Sequence, residues 1–297
     1  MNIKHIVLSG GGYNGIDMIG ILYKLSSLDI IERTEIKSLY GVSAGSIVSA
    51  IWLLNIEKNV IYDFIIKRPW NKIFNINSDM LFKLVDEKGL LDNRLFIEIM
   101  KPLLKSKDLN ENITLLEFYK YTKKDFYIFG TKLNTLESVK MSHKTHPEMK
   151  LIDALTISSA LPLIFKPVFY DNEYYIDGGV RKHFPIKTAI NDGCNRNEII
   201  GIYIKRNNDD KINKESTFIQ YYYKLLITTV NLINKDFEEI PNIIYHICEK
   251  LGIHKDILTN NSKRESMLKK GEESALKFIN EKLNIDKKLE SSIEELA

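Results

Sequence analysis

Cysteine is nearly missing from this chain: only Cys194 and Cys248 occur in 297 residues. Two are too few for a disulfide framework and are not spaced as metal ligands, so a reducing compartment is expected. Long apolar runs are missing too. No stretch approaches the ~20 apolar residues that cross a bilayer. The apolar run near the start, Ile6-Val7-Leu8, is too short for a signal peptide and gives way at once to glycines. The expectation is a cytoplasmic protein, or one adsorbed peripherally to membranes rather than inserted in them. An excess of one charge is missing as well. Lys and Arg number 42 against 39 Asp and Glu, a net charge of +3 with both signs mixed along the chain, which argues against nucleic acid as a partner. The composition that remains, 44% hydrophobic and 27% charged, is that of a globular protein of one large or two small domains.

The first elements are legible from their punctuation. His5-Ile6-Val7-Leu8-Ser9 is a short apolar run stopped by glycine, and 16–25 carries apolar residues at helical spacing. Residues 36–40 repeat the strand pattern, and a second helix follows from Ser43. Strand, helix, strand, helix predicts an α/β fold with a parallel sheet and helices on its faces. Between about 55 and 121 the pattern is mostly helical. A capping box, Thr114-Leu115-Leu116-Glu117, starts one helix, and Asp92 caps another over 93–100 that Pro102 disturbs. Residues 125–133, 138–141, 174–176 and 199–204 read as strands, and 151–160 as a helix. The polar stretch 205–211 reads as a surface loop. Helices are then expected over 217–232, 240–251 and 262–283, with aromatics (Phe218, Tyr221, Tyr222, Tyr223, Phe237, Tyr245) that complete the core or form a membrane-facing patch.

Three glycine-bracketed motifs could carry chemistry. Gly10-Gly11-Gly12-Tyr13-Asn14-Gly15 lies between a strand and a helix, where unpaired N–H groups form a nest for a phosphate or an oxyanion. Gly10, Gly12 and Gly15 also satisfy a dinucleotide fingerprint. The second strand, however, ends in Tyr40-Gly41-Val42-Ser43 instead of the acidic residue a ribose would need. Gly41-Val42-Ser43-Ala44-Gly45 fits a nucleophile elbow, because small residues flank a serine on a tight strand-to-helix turn.

Such a serine needs a base. His143, His146, His183, His246 and His254 all lie downstream. His183, six residues past Asp177, is the best placed, yet Arg181 and Lys182 beside it suggest a solvated loop. Asp177-Gly178-Gly179, ending a strand, offers a carboxylate instead. Its ordinary pKa of about 3.9 makes a poor base unless a water-poor site raises it.

Together the three motifs, in this order, resemble the patatin-like phospholipase family. Ser158-Ser159-Ala160-Leu161-Pro162 and Phe184-Pro185-Ile186 are similar to what surrounds that family's aspartate strand. The resemblance spans roughly 4–205. It implies a three-layer α/β/α sandwich with a mostly parallel central sheet, 4–205 being the catalytic domain and 206–297 a helical C-terminal extension beside it. It implies a Ser–Asp dyad without histidine, with Ser43 as nucleophile and Asp177 as general base. The N–H groups of Gly10, Gly11, Gly12 and Ala44 would form the oxyanion hole, framed by the motif glycines Gly15, Gly41, Gly45, Gly178 and Gly179. The implied activity is that of a carboxylic ester hydrolase, cleaving fatty-acyl esters of membrane phospholipid or another acyl lipid with no metal or organic cofactor. An activating partner is a further expectation, motivated by the need to restrain a phospholipase in a cytosol. Asn14 stands where the family usually has Arg or Lys, which weakens the case for phospholipid preference more than the case for esterase chemistry. A catalytically weak lipid-binding or regulatory protein on the same scaffold is the alternative.

Overall fold

Alternation along the strands decides the layers. In the computed structural model, which describes residues 1–73, 84, 86–206, 212–234, 238–248 and 255–294, the first half of the chain forms β1 (His5–Leu8), α1 (Gly15–Ser27), β2 (Ser38–Val42), α2 (Ala44–Leu53), α3 (Lys58–Lys67), α4 (Trp70–Ile73), β3 (Gly89–Leu91), α5 (Arg94–Lys105), α6 (Leu115–Thr122) and β4 (Asp125–Lys132). There follow β5 (Ser138–Met141), α7 (Leu151–Ser159), β6 (Leu163–Phe165), β7 (Val168–Tyr170), β8 (Glu173–Asp177) and α8 (Ile186–Asn191). The chain continues as β9 (Ile199–Arg206), α9 (Phe218–Ile233), β10 (Ile243–Cys248), α10 (Lys255–Thr259) and α11 (Asn261–Glu294). Ile6 and Leu8, Leu39, and Phe126 and Ile128 point into one core, while Val7, Tyr40 and Val42, and Tyr127 and Phe129 point into another. The period-two pattern thus buries both faces of one sheet, as a parallel sheet requires. Most helices cover the first face; α8 and the 184–194 segment cover the second.

The sheet runs β10-β9-β1-β2-β4-β8-β7, with β5 also on β4. β10, β9, β1, β2 and β4 are parallel to their neighbours, while β5, β8 and β7 join antiparallel. This is the mostly parallel three-layer architecture expected. The predicted capping box is present, Thr114 accepting from the Glu117 amide and Glu117 from the Thr114 amide. Two expectations fail. Helix α5 runs through Pro102 to Lys105, because Leu95, Phe96, Met100, Leu103 and Leu104 bury one stripe whose packing outweighs the lost backbone hydrogen bond. The predicted helix over 240–251 is instead strand β10 at the sheet edge, with Ile244, His246 and Cys248 inward and Tyr245 and Ile247 exposed. Phe237, His254 and 207–211 lie outside the described residues.

The last elements are locked to the first by polar and steric complementarity. Helix α11 crosses α1 with backbones nearly touching: a Cβ on Gly20 would meet the Leu268 carbonyl oxygen at 2.1 Å, and one on Gly271 the Asp17 carbonyl oxygen at 2.1 Å. Beside this crossing, His246 Nε2 lies 3.3 Å from Asp17 Oδ1, and its Nδ1 lies 2.8 Å from Ser274 Oγ. The array ties β10, α1 and α11 together. Asp17 and His246 are both buried, and burial pushes the Asp17 carboxyl above its ordinary range against the pull of His246.

His246→Ala should therefore cost about 3 kcal/mol or more in urea unfolding, since it strands a buried carboxylate. Asp17→Asn keeps an acceptor without the charge and should cost less. A carboxyl whose pKa is raised by folding contributes stability at low pH that is lost as pH rises through the folded pKa. The stability difference between wild type and Asp17→Asn should therefore move in favour of the variant as pH rises above about 4. A difference that moved the other way would show that the carboxylate is net stabilised by His246.

Candidate active site

Sheet register brings the three motifs to one edge. β1 and β2 are parallel neighbours, so the loops after Leu8 and Val42 leave from the same end of the sheet. Val42 pairs with Phe129 on β4, and the next residue of β4, Gly130, pairs with Asp177 at the end of β8. A serine after β2 and an aspartate closing β8 therefore face each other across a single strand. Ser43 Oγ donates to Asp177 Oδ2 at 2.6 Å, while Asp177 Oδ1 accepts from the Gly179 amide at 2.6 Å. The carboxylate is buried, and both its oxygens are oriented.

Ser43 pays for its position in backbone strain. It sits at φ 51°, ψ −126°, a region L residues rarely adopt, immediately before α2. The flanking glycines permit the turn. A Cβ on Gly41 would lie 2.7 Å from the Gly45 carbonyl oxygen, and one on Gly45 would lie 2.5 Å from that of Ser9. The Ser43 carbonyl accepts from the Ser46 amide and hydroxyl. Its amide donates 2.9 Å to Ser158 Oγ, and that hydroxyl donates 2.6 Å to the Phe129 carbonyl. Ser158, wholly buried on α7, thus fixes the elbow to β4.

The glycine loop follows β1. Gly12 takes φ +55°, and Asn14 Nδ2 donates to the Gly11 carbonyl at 2.9 Å, so this amide braces the loop from within. The Gly10 amide donates to the His183 carbonyl at 3.0 Å and is spent there, which corrects its expected place among the anion-binding donors. The amides of Gly11, Gly12 and Ala44 have no backbone acceptor among the described residues and border the same cavity as Ser43. Gly15 brings α1 close to Ala44 and Val48, its Cβ position lying 3.3 Å from that of Ala44. Gly178 packs on the Phe129 carbonyl.

His183 is buried rather than solvated, and its ring occupies the space where a side chain on Gly10 would lie, 3.0 Å from that Cβ position. Of the described histidines it alone lines the cavity. His143 stacks on Tyr119 beside Asp125, His146 contacts Thr145, and His246 pairs with Asp17. The His183 amide donates to Asn234 Oδ1 at 2.8 Å, and Asn234 Nδ2 donates to the carbonyls of Val230, Gly179 and Val180. Asn234, at the end of α9, thereby ties that helix to the loop after Asp177. Asn234 does not stand out in the sequence, and Ser158 does so only as part of the family-like stretch 158–162; the contacts by which each reaches the site are with residues distant along the chain.

The cavity measures about 340 Å³ and is walled by aliphatic and aromatic side chains from several helices, Ile16, Ile47, Phe96 and Ile227 among them. Arg264 is the cation at its wall among the described residues. Its guanidinium is committed to the carbonyls of Ile66 and Ile257 and to Asn261 Oδ1, and burial pulls its pKa down. A serine hydroxyl directed at a buried carboxylate, open amides nearby and an apolar chamber suit attack on a carbonyl that carries a long apolar chain.

A family model described as patatin-like phospholipase matches residues 6–190. "Probable lipid hydrolase 463L" of Invertebrate iridescent virus 6 is 27% identical over 280 residues, covering 92% of this chain and 87% of its own. "Triacylglycerol lipase 4" of Saccharomyces cerevisiae is 28% identical over 173 residues, which cover 54% of this chain but 18% of that protein. Among solved structures, VipD from Legionella pneumophila aligns with a TM-score of 0.53 at 15% identity, covering 95% of this chain and 67% of VipD, a likeness of fold.

Ser158→Ala leaves the Ser43 amide without its acceptor and the Phe129 carbonyl without its donor. The expected cost is about 2–3 kcal/mol in urea unfolding, and Ser158→Thr should recover part of it. An unchanged midpoint for Ser158→Ala would show that the elbow is held by its glycines alone.

Proposed function

The chain belongs to the patatin-like phospholipase family, and on that premise we propose that it is a serine lipid acyl hydrolase of the phospholipase A type, working through Ser43 and Asp177. The observation that carries this reading is the 2.6 Å hydrogen bond from Ser43 Oγ to Asp177 Oδ2 in the wall of an apolar cavity. Lipid hydrolysis is also what the names of the viral and yeast relatives state of those proteins.

Asp177 Oδ2 takes the Ser43 proton as Oγ bonds to the ester carbonyl carbon. The carbonyl oxygen, now negative, is held by the amides of Gly11, Gly12 and Ala44 at the N-terminal end of α2. Collapse breaks the bond to the alcohol, which leaves with the proton from Asp177, and the acyl group stays on Oγ. Water then gives its proton to Asp177 and attacks the acyl carbon. Collapse of this second intermediate breaks the bond to Ser43 Oγ and releases the fatty acid, while Asp177 returns that proton to Oγ. The acyl chain occupies the cavity, where burying each methylene contributes about 0.8 kcal/mol.

Gly10, with its amide already engaged, seats the loop on His183. The amide at Asn14 stabilises the loop without offering a charge to a phosphate. With Arg264 also committed, the cavity selects for the acyl group rather than for the headgroup. The machinery belongs to 4–205, and 206–297 completes the cavity wall through Tyr223, Ile227 and Val230.

Ser43→Ala and Asp177→Asn should each lower hydrolysis of long-chain acyl esters by about 10³-fold or more, with circular dichroism unchanged. A fluorophosphonate should label the wild type and spare Ser43→Ala. His183→Ala keeps the Ser–Asp contact and should lose far less. A loss matching that of Asp177→Asn would overturn the two-residue reading.

A further inference from the structure

Helix α9 is apolar on both sides. Its inner side sets Tyr223, Ile227 and Val230 into the wall of the cavity that holds Ser43. Its outer side carries Phe218, Tyr221, Leu225 and Leu232, which are 66%, 52%, 52% and 57% exposed. Spaced three, four and seven residues apart, these four fall on one stripe, with Thr228 and Thr229 filling the turn between Leu225 and Leu232. Between these two sides stand Gln220, Lys224, Asn231 and the two threonines, and an exposed apolar strip of this kind marks a contact surface.

We propose that the outer stripe of α9 docks the protein on a lipid bilayer, lying at the boundary between headgroups and acyl chains. The proposal rests on the acyl-hydrolase reading of the site. Three observations select a bilayer. The helix is shared: its outer face meets the surface that holds the substrate, and its inner face walls the chamber that receives it. An acyl chain leaving the bilayer therefore passes along one helix to Ser43. The charge fits: the 16 residues of α9 contain no carboxylate and one cation, Lys224, so nothing on the helix repels lipid phosphates. Tyrosine and phenylalanine beside leucine suit the interface, where a ring can bury its body and keep its hydroxyl wet. The stripe is too small for a stable contact between two copies. Sixteen helical residues give a strip about 24 Å by about 10 Å, well short of the about 800 Å² per partner in a stable protein interface.

Asn234 gives the surface a link to chemistry, since it joins the end of α9 to Gly179, Val180 and His183. A helix seated in a bilayer is thereby held in register with the loop beside Asp177.

The test uses the full chain carrying Ser43→Ala, which binds without turning lipid over, and pure phosphatidylcholine vesicles. It should sediment with the vesicles equally at low and high salt, because apolar insertion is not screened. Adding Phe218→Glu and Leu225→Glu should weaken that sedimentation about tenfold or more. With Ser43 intact, the same pair of substitutions should slow vesicle hydrolysis comparably and leave the rate on a soluble short-chain nitrophenyl ester within about twofold, which also shows that the site is folded. Leu225→Gln alone should give a smaller loss in the same direction. Equal sedimentation of the glutamate variant overturns the proposal, and so does binding that disappears at high salt. A dimer abolished by the glutamates, with vesicle binding intact, overturns it as well. If the wild type cleaves no ester at all, the enzymatic reading fails while the sedimentation arm still decides whether α9 docks on lipid.

Discussion

The hydrogen bond from Ser43 to Asp177 exists only because β4 lies between β2 and β8 with a register that sets Val42 against Phe129 and Gly130 against Asp177. A slip of one residue on either side would turn one of the two side chains to the opposite face of the sheet. Much of the surrounding structure holds that register. Ser158 bridges the Ser43 amide to the Phe129 carbonyl, Gly178 packs on that same carbonyl, and the Asp177 amide donates to Ala160. The strain at Ser43, at φ 51°, is tolerated because neighbours on both sides over-determine it.

The last third of the chain is more than an appendage. β10 extends the central sheet, α11 covers α1, and α9 closes the cavity and reaches the site through Asn234. The buried contact of His246 with Asp17 and Ser274 shows how a Ser, His and Asp can stand in line and serve cohesion alone. The Ser43–Asp177 pair lines the apolar cavity, whereas Asp17, His246 and Ser274 are not among the residues that line it. Access separates the two arrays; composition does not.

Much of this was legible in the residues. Glycines end β1 and close β2, their apolar runs match the strands, and the three motifs that converge are the glycine-rich ones. What was not legible depends on tertiary placement. Isoleucines at 240, 243, 244 and 247 suit a helix face or a strand equally, and only pairing with β9 decides for β10. His183 follows Arg181 and Lys182, and local charge suggested solvent; the backbone turns its ring inward over Gly10. Ser158 is an ordinary helical serine until the chain brings Ser43 to it from 115 residues away. Gly10 looked like one donor among several, and only the fold shows its amide committed to His183.

The attachment of the glycine loop also sets an order of assembly. Ser9 donates its amide to Ile202 and accepts from the Ile204 amide, and Gly10 donates to His183. β1 thus depends on partners nearly two hundred residues further along the chain. Such distant pairing is slow and comes late in folding. Without those partners the serine is present but the glycine loop beside it has no seat. The glycine loop therefore takes its final place only when the two halves of the sheet have come together, and the topology makes the site a product of the whole fold rather than of its first half.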